Sequence, residues 1–534
     1  MFDFRNDENK LTLIGVVLLG LIITSVIIYL NSTHYILGHS YRDVFFYLIQ
    51  SLRMSGVEIS GYAYVNYLSP FIPFLTSILF KMGFVNLSSI FITSGAFFFI
   101  GILGMYFILK LKFNNFYSFF GSFLYATLFI NVLWVGNGTL DIGFVALMIW
   151  AIYFFAKAME DNQKYFYLAF PIAVLSFFTK YTGAIVIPIM AVYFLSKPNF
   201  IQNFKKYFKH LLGGVIAGVL TSIPFFLYYF LNNIPLGFLN QASEVSSESS
   251  LAVTHNGVPV GNDLFFYIKG LIYDISSTDY IVGVIILVIS IIGFIFVIYT
   301  LIKTLKNSQI NSKTYYITFI TSIALILISF FTASLFSFVF SELILFLGLY
   351  LFAYSLNNIS PNSFKYLSLN LAMFSFFMFF MVFFTAHLTK ADRYFISMAP
   401  GFIFLIVLSV DFLLNNVKKF RLNYIVPVFL MCLMLFACVN YLSGVGDDSL
   451  AVSEKHASDW ISDKEGIIYS DRGPVFTWYL QKEVAYARNP GNNTLLNQEL
   501  LEGNATYYIS SIPVNLTDYK SVKEFGDVNV YRLK

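Results

Sequence analysis

The stretch "LTLIGVVLLGLIITSVIIYL", residues 11–30, holds twenty residues and no charge. As a helix it would span about 30 Å, the thickness of a bilayer's hydrocarbon core. Lipid offers no partner to backbone N–H and C=O groups, so a run this long must satisfy them within itself, as a helix does. It is longer than a signal-peptide core and lacks a small-residue cleavage site, so it reads as a retained first span. Runs of this kind recur along the chain. Of its 534 residues 58% are hydrophobic and only 12% charged, and its mean hydropathy is +0.72. Soluble domains carry about 25% charged residues, so this composition excludes an ordinary soluble protein. The chain is expected to be an all-α polytopic membrane protein.

About thirteen spans are expected: 11–30, 88–109, 116–135, 141–157, 164–179, 182–196, 211–231, 280–302, 314–335, 337–354, 366–386, 396–415 and 422–442. Short connections such as "KPNFIQNFKKYFKH", "KTLKNSQINSK" and "NNVKKFRLN" are rich in lysine. By the positive-inside rule they face the cytoplasm, together with the N-terminus. Three long segments then lie outside: 31–87, 232–279 and the tail 443–534. The second is rich in serine and is expected to be mobile or functional. The tail is rich in acids, with 13 of the chain's 29, and alternates helix-like "SEKHASDWISD" with strand-like "GIIYSD", "ATYYISS" and "DVNVYRLK". It reads as a small extracytoplasmic α/β domain, 443–534, following a transmembrane catalytic domain, 1–442. Asn-X-Thr/Ser sequons at Asn31, Asn137, Asn492, Asn504 and Asn515 fall on the outer side in this topology. The two cysteines, Cys432 and Cys438, share one apolar run and suggest neither a disulfide framework nor a metal site. No internal repeat supports an inverted-repeat transporter.

The stretch "LGHSYRDVFFYLIQSLRMSG", residues 37–56, places an acid, Asp43, about twelve residues past the first span, in an aromatic and apolar run. The plain alternative is a loop or capping acid in water. The surrounding apolar residues instead suggest an interfacial amphipathic helix. A second acid, Asp141, opens the fourth span in "WVGNGTLDIGFVAL", where an N-cap role and a functional one are compatible. The cations are Lys180 in "FFTKYTGAIVIP" and, in "FFTAHLTKADRYFISMAPG", Lys390 and Arg393 beside Asp392 and Tyr394. Each alone would be a snorkelling side chain. Several at one depth point to an anion, for which lysine and arginine are the usual phosphate ligands. A carboxylate and a phosphate-binding set beside lipid fit a lipid-linked phosphosugar. The cations would stabilise the departing phosphate, and the acid would take the proton from an attacking hydroxyl. One acid suffices for a single inverting displacement, unlike glycoside hydrolysis with its two carboxylates. His34, His39 and Asp43 do not share a helical face, so no metal site is expected there. Glu342 lies at the outer end of the tenth span, as either a functional intramembrane acid or a hairpin-tip acid.

The order of these features resembles the GT-C glycosyltransferases, in particular the protein O-mannosyltransferase and aminoarabinose-transferase branch (the glycosyltransferase family 39-like proteins). The resemblance covers most of residues 11–415. That family has an acid in the first outer loop, often an Asp-Glu pair, where this chain has Asp43 followed by Val44. "SPFIPFLTSILFKMGF" (69–84), Asp141, "LSFFTKYTG" (175–183) and "DRYFISMAPGFIFL" (392–405) follow in the family's order. The resemblance implies a polyprenyl phosphate sugar donor and an active site at the outer face. Asp43 would be the catalytic base. Lys180 and Arg393, with Arg42, Lys390 and Tyr394, would bind the donor. Asp141 would shape the sugar site, and Glu58 and Tyr62 would border the acceptor, a protein, lipid or glycan. No cofactor and no nucleic acid partner are implied. The oligosaccharyltransferase branch would carry a Trp-Trp-Asp stretch, which is absent. The alternative is a transporter or flippase of lipid-linked glycans, gripping phosphate with the same cations but needing no base. Charges clustered at the outer edge favour chemistry.

Overall fold

The computed structural model describes residues 7–35, 39, 41–57, 59, 68–239, 254–255, 258–259, 263–306, 313–333, 335, 338–359, 364–387, 390–417 and 422–534. Glu58, Tyr62 and most of the serine-rich stretch lie outside them.

The chain is a multi-pass helical membrane protein. Among the described residues ten helices are long and apolar enough to cross a membrane, or eleven if one bent pair is a single span. The expected count of thirteen differs for a local reason. Residues 166–179 form a 14-residue helix and Tyr181–Leu195 is another short apolar stretch, while 116–135 is the bent pair. That pair, Asn115–Thr127 and Phe129–Gly136, turns by 50° at Leu128, whose ψ of 122° is extended. Such a break frees backbone groups that lipid cannot satisfy. Here the Asn131 side-chain amide donates to the Tyr125 carbonyl at 2.9 Å and spans the break.

The chain divides into two compact units: Met1–Thr24, Phe97–Trp134 and Leu140–Ser443 in one, Ser25–Ala96, Val135–Thr139 and Gly444–Lys534 in the other. In the first, helices approach closely at small residues, since apolar lipid drives no helix together and packing must do so. Gly293 lies against the Ser409 backbone, where an added Cβ would fall 2.2 Å from the carbonyl oxygen.

In the second unit the tail folds as an α/β sandwich. Its five-stranded sheet runs in the order Ala485–Tyr486, Ile468–Ser470, Tyr507–Ser510, Val528–Leu533, Tyr519–Phe525. The first three strands are parallel, and the last two join antiparallel. Alternation sorts side chains to opposite faces. Tyr507 and Ile509 pack with Ala457, Ile461 and Phe476, while Tyr508 packs with Leu496 and Leu500. The helices carrying those partners, Ser449–Ile461 and Gly473–Leu480 on one side and Asn493–Glu502 on the other, bury both faces. The helix Arg42–Ser55 belongs to the same unit. Its apolar stripe is buried, with Phe45 5.7 Å from the ring of Tyr479.

Two of the sequons are closed. Asn31 and Asn137 are 2% and 1% exposed, so neither amide is open to a glycan in the folded chain.

Candidate active site

Asp141 stands in the first turn of the helix Leu140–Glu160 and is 2% exposed. Lys180 follows the helix Phe166–Thr179 in extended conformation, φ −154° and ψ 132°. The next turn folds tightly back, with the Gly183 N–H donating to the Lys180 carbonyl at 2.7 Å. Only glycine fits there: a Cβ on Gly183 would lie 2.6 Å from the Ser176 carbonyl oxygen. The Ser176 hydroxyl in turn donates to the Phe144 carbonyl at 3.0 Å, tying the two helices together. The result brings the Lys180 ammonium to Asp141 Oδ1 at 2.5 Å. The carboxylate side chain is 3% exposed and the lysine 21%.

Aromatic rings surround that ammonium. It lies 5.1 Å from the ring centre of Tyr394, 5.5 Å from Phe144 and 6.0 Å from Phe384. Tyr394 stacks on Phe384 with centroids 4.3 Å apart and planes 9° from parallel. The Arg393 guanidinium lies 5.3 Å from Tyr394 and 6.0 Å from Trp134. Lys180 and Arg393 therefore meet at one tyrosine ring, whose electron-rich face holds cations without neutralising them. Lys390 is engaged differently. Its ammonium donates to the carbonyls of Phe384, Thr385 and His387 at 3.0, 2.6 and 2.5 Å. These carbonyls end the helix Leu367–Ala386 and have no partner within it. All three lysine protons are used, so Lys390 caps a helix end. Burial lowers its pKa to about 8, against the pull of Asp263.

One acid escaped the sequence reading. Asp274, near the end of the helix Phe266–Ser276, is 2% exposed, and its Oδ1 has no hydrogen-bond partner among the described residues. Burial first, and then the charge of Asp392, raise its pKa to about 8. Asp392 is itself raised by burial, opposed by the Arg393 N–H and guanidinium. In the sequence Asp274 sits in "GLIYDISSTD", and only its alternation with apolar residues hinted at burial.

In the other unit, Asp43 lies in the first turn of Arg42–Ser55, half-buried, and accepts from the Tyr41 hydroxyl at 3.1 Å. The Arg42 guanidinium donates to the Tyr486 hydroxyl and rests 5.5 Å from that ring. Among the described residues no group of three or more His, Cys, Asp or Glu could hold a metal ion.

The GT-C-type fold expected from the sequence is borne out by similarity to solved structures, and part of the chain matches a glycosyltransferase family. Residues 68–228 match the family described as dolichyl-phosphate-mannose-protein mannosyltransferase. That stretch contains Asp141 and Lys180, while Asp43 and Arg393 lie beyond it. Among solved structures, the fold matches ArnT from Cupriavidus metallidurans bound to undecaprenyl phosphate, with a TM-score of 0.57, 12% identity and 97% of each chain covered. The apo state of the same enzyme matches at 0.55 with 11% identity, again over 97% of each chain. The Archaeoglobus fulgidus oligosaccharyltransferase matches at 0.52 with 13% identity, over 93% of this chain and 69% of that one. No curated protein matches the chain by sequence.

Proposed function

We propose that the protein moves a sugar from a polyprenyl phosphate donor to an acceptor hydroxyl at the outer face of the membrane, with inversion at the sugar. The observation that carries this reading is the meeting of Lys180 and Arg393 at the Tyr394 ring, with Asp141 fixing the lysine. The Arg393 guanidinium is weakly hydrated, so an incoming phosphate has little water to displace from it. The similar fold of an enzyme solved with undecaprenyl phosphate supports a donor of that type.

In the reaction the acceptor oxygen forms a bond to the sugar's anomeric carbon while the bond from that carbon to the phosphate oxygen breaks. The bonding pair leaves on the phosphate, where Lys180 and Arg393 stabilise the growing charge. The acceptor's proton passes to Asp43 as general base. A single displacement by the acceptor oxygen inverts the centre. Arg42, engaged with Tyr486, is assigned to holding the helix that bears Asp43. Asp141 orients Lys180 and borders the sugar.

The test is incubation of the purified protein with a panel of radiolabelled polyprenyl phosphate sugars and a cell-envelope extract as the source of acceptor hydroxyls. Wild type should consume at least one, and NMR of the product should show the opposite anomeric configuration. Asp43→Asn should bind the same donor and leave it unconsumed. Normal turnover by that variant rejects the base, and no donor consumed by wild type rejects the reading.

A further inference from the structure

The second unit contains a cavity of about 810 Å³ that the transfer chemistry does not use. Its volume is that of small-molecule sites, about 300–1,000 Å³. It lies along the sheet-edge strand Ala485–Tyr486 and is walled by Phe46, Tyr469, Tyr486, Glu483, Arg488 and Gln498, among others. Tyr486 is 40% exposed. Phe46 is decisive for position. It stands three residues after Asp43 and four after Arg42 on the helix Arg42–Ser55, so all three share one side of that helix. Arg42 already reaches the cavity wall at Tyr486. The helix with the proposed base thus also forms part of this cavity.

The lining selects an occupant. Tyrosine and phenylalanine rings offer flat faces for the C–H faces of a sugar ring, and carboxylates and amides offer planar acceptors and donors for hydroxyls. Glu499 is committed to the fold, accepting from the N–H groups of Arg488 and Asn489, and Glu502 accepts from Gln498. Glu483 and Arg488 remain exposed at the mouth. Three glutamates against one arginine leave the lining net negative, which disfavours a phosphate and so the donor. The edge strand is only two residues long, too short to pair with an added peptide strand.

We propose that this cavity is the acceptor subsite and that it takes the uncharged, hydroxyl-rich end of a glycan. The proposal rests on the glycosyl-transfer reading above. Its test uses the full chain in lipid nanodiscs. Binding of mannotriose, cellotriose, chitotriose and a Ser/Thr-rich peptide is read by saturation-transfer NMR, and undecaprenyl phosphate binding is measured separately. At least one trisaccharide should bind. Leu495→Trp, which fills the cavity from an exposed wall position, should weaken that binding at least tenfold. Glu483→Gln, a change that cannot unfold a buried core, should weaken it several-fold. Undecaprenyl phosphate should bind all forms equally. If no trisaccharide binds, or Leu495→Trp leaves binding intact, the subsite is refuted while donor binding still stands. If only the peptide binds and Leu495→Trp blocks it, the glycan class is refuted. If undecaprenyl phosphate does not bind wild type, the transfer reading itself fails.

Discussion

Lys180→Met and Asp141→Asn break the same ion pair, yet the structure makes their costs unequal. Removing one partner of a buried pair costs about 3–5 kcal/mol, because the other charge is left without water. The Asp141 side chain is 3% exposed, so Lys180→Met strands a sealed carboxylate and should cost about 3 kcal/mol or more. Lys180 is 21% exposed, so after Asp141→Asn its ammonium can turn to water, and the cost should be about 1–2 kcal/mol. The double variant carries no buried charge and should return to within about 1 kcal/mol of wild type. That gives a coupling of about 3–5 kcal/mol in the double-mutant cycle. Function should not return with stability. A charge-assisted hydrogen bond to phosphate contributes about 1.5–3 kcal/mol, so the folded double variant should bind undecaprenyl phosphate roughly 10- to 150-fold more weakly. Denaturant titration in micelles gives the stabilities, and intrinsic tryptophan fluorescence gives the affinity. Asp141→Asn costing more than Lys180→Met would refute the burial argument. Wild-type affinity in the double variant would show that Lys180 serves Asp141 alone.

Other consequences follow from neighbouring residues. Arg393→Lys keeps the charge but loses the planar contact with Tyr394 and Trp134 and, in the proposed donor site, a two-pronged grip on phosphate, so donor affinity should fall about tenfold; a titration with undecaprenyl phosphate decides. Gly183→Ala puts a methyl 2.6 Å from the Ser176 carbonyl, so the turn must shift and Lys180 must leave Asp141. Its donor affinity should drop with Lys180→Met, whereas Gly491→Ala, in open space, should change nothing. Asp274 holds its proton up to about pH 8 when folded, and near 3.9 when unfolded. Between those values the folded state binds more protons, so stability should fall as pH rises from about 4 to 8, by up to about 1.4 kcal/mol per unit, and level off above. Asp274→Asn should abolish that slope in thermal melts at pH 5.5 to 8.5. An unchanged slope would place its origin elsewhere.

Hydropathy and period are local properties, and what depends on them was legible in the sequence. The uncharged run 11–30 had to be a helix because lipid offers its backbone nothing else. The strand-like runs "ATYYISS" and "DVNVYRLK" marked the strands Tyr507–Ser510 and Val528–Leu533, which lie inside the tail sheet, the first of them buried at every position. The edge strand Ala485–Tyr486 and the polar strand Tyr519–Phe525 carried no such signal, since neither buries a clear stripe. Pairing is different, because it depends on which surfaces pack. Lys180 and Asp141 are 39 residues apart and Arg42 and Tyr486 are 444 apart. No local pattern states either contact. Lys390 and Lys180 look alike as cations beside apolar spans, and only packing sends one to a helix end and the other to a sealed carboxylate. Asp274 reads as a loop acid until neighbouring helices exclude its water. The sequence therefore determined most of the spans, the inner strands of the sheet and the candidate charges, through the solvation of backbone and side chains. The tertiary structure alone decided which charges meet and which are dry, because burial belongs to the assembled bundle and not to any one segment.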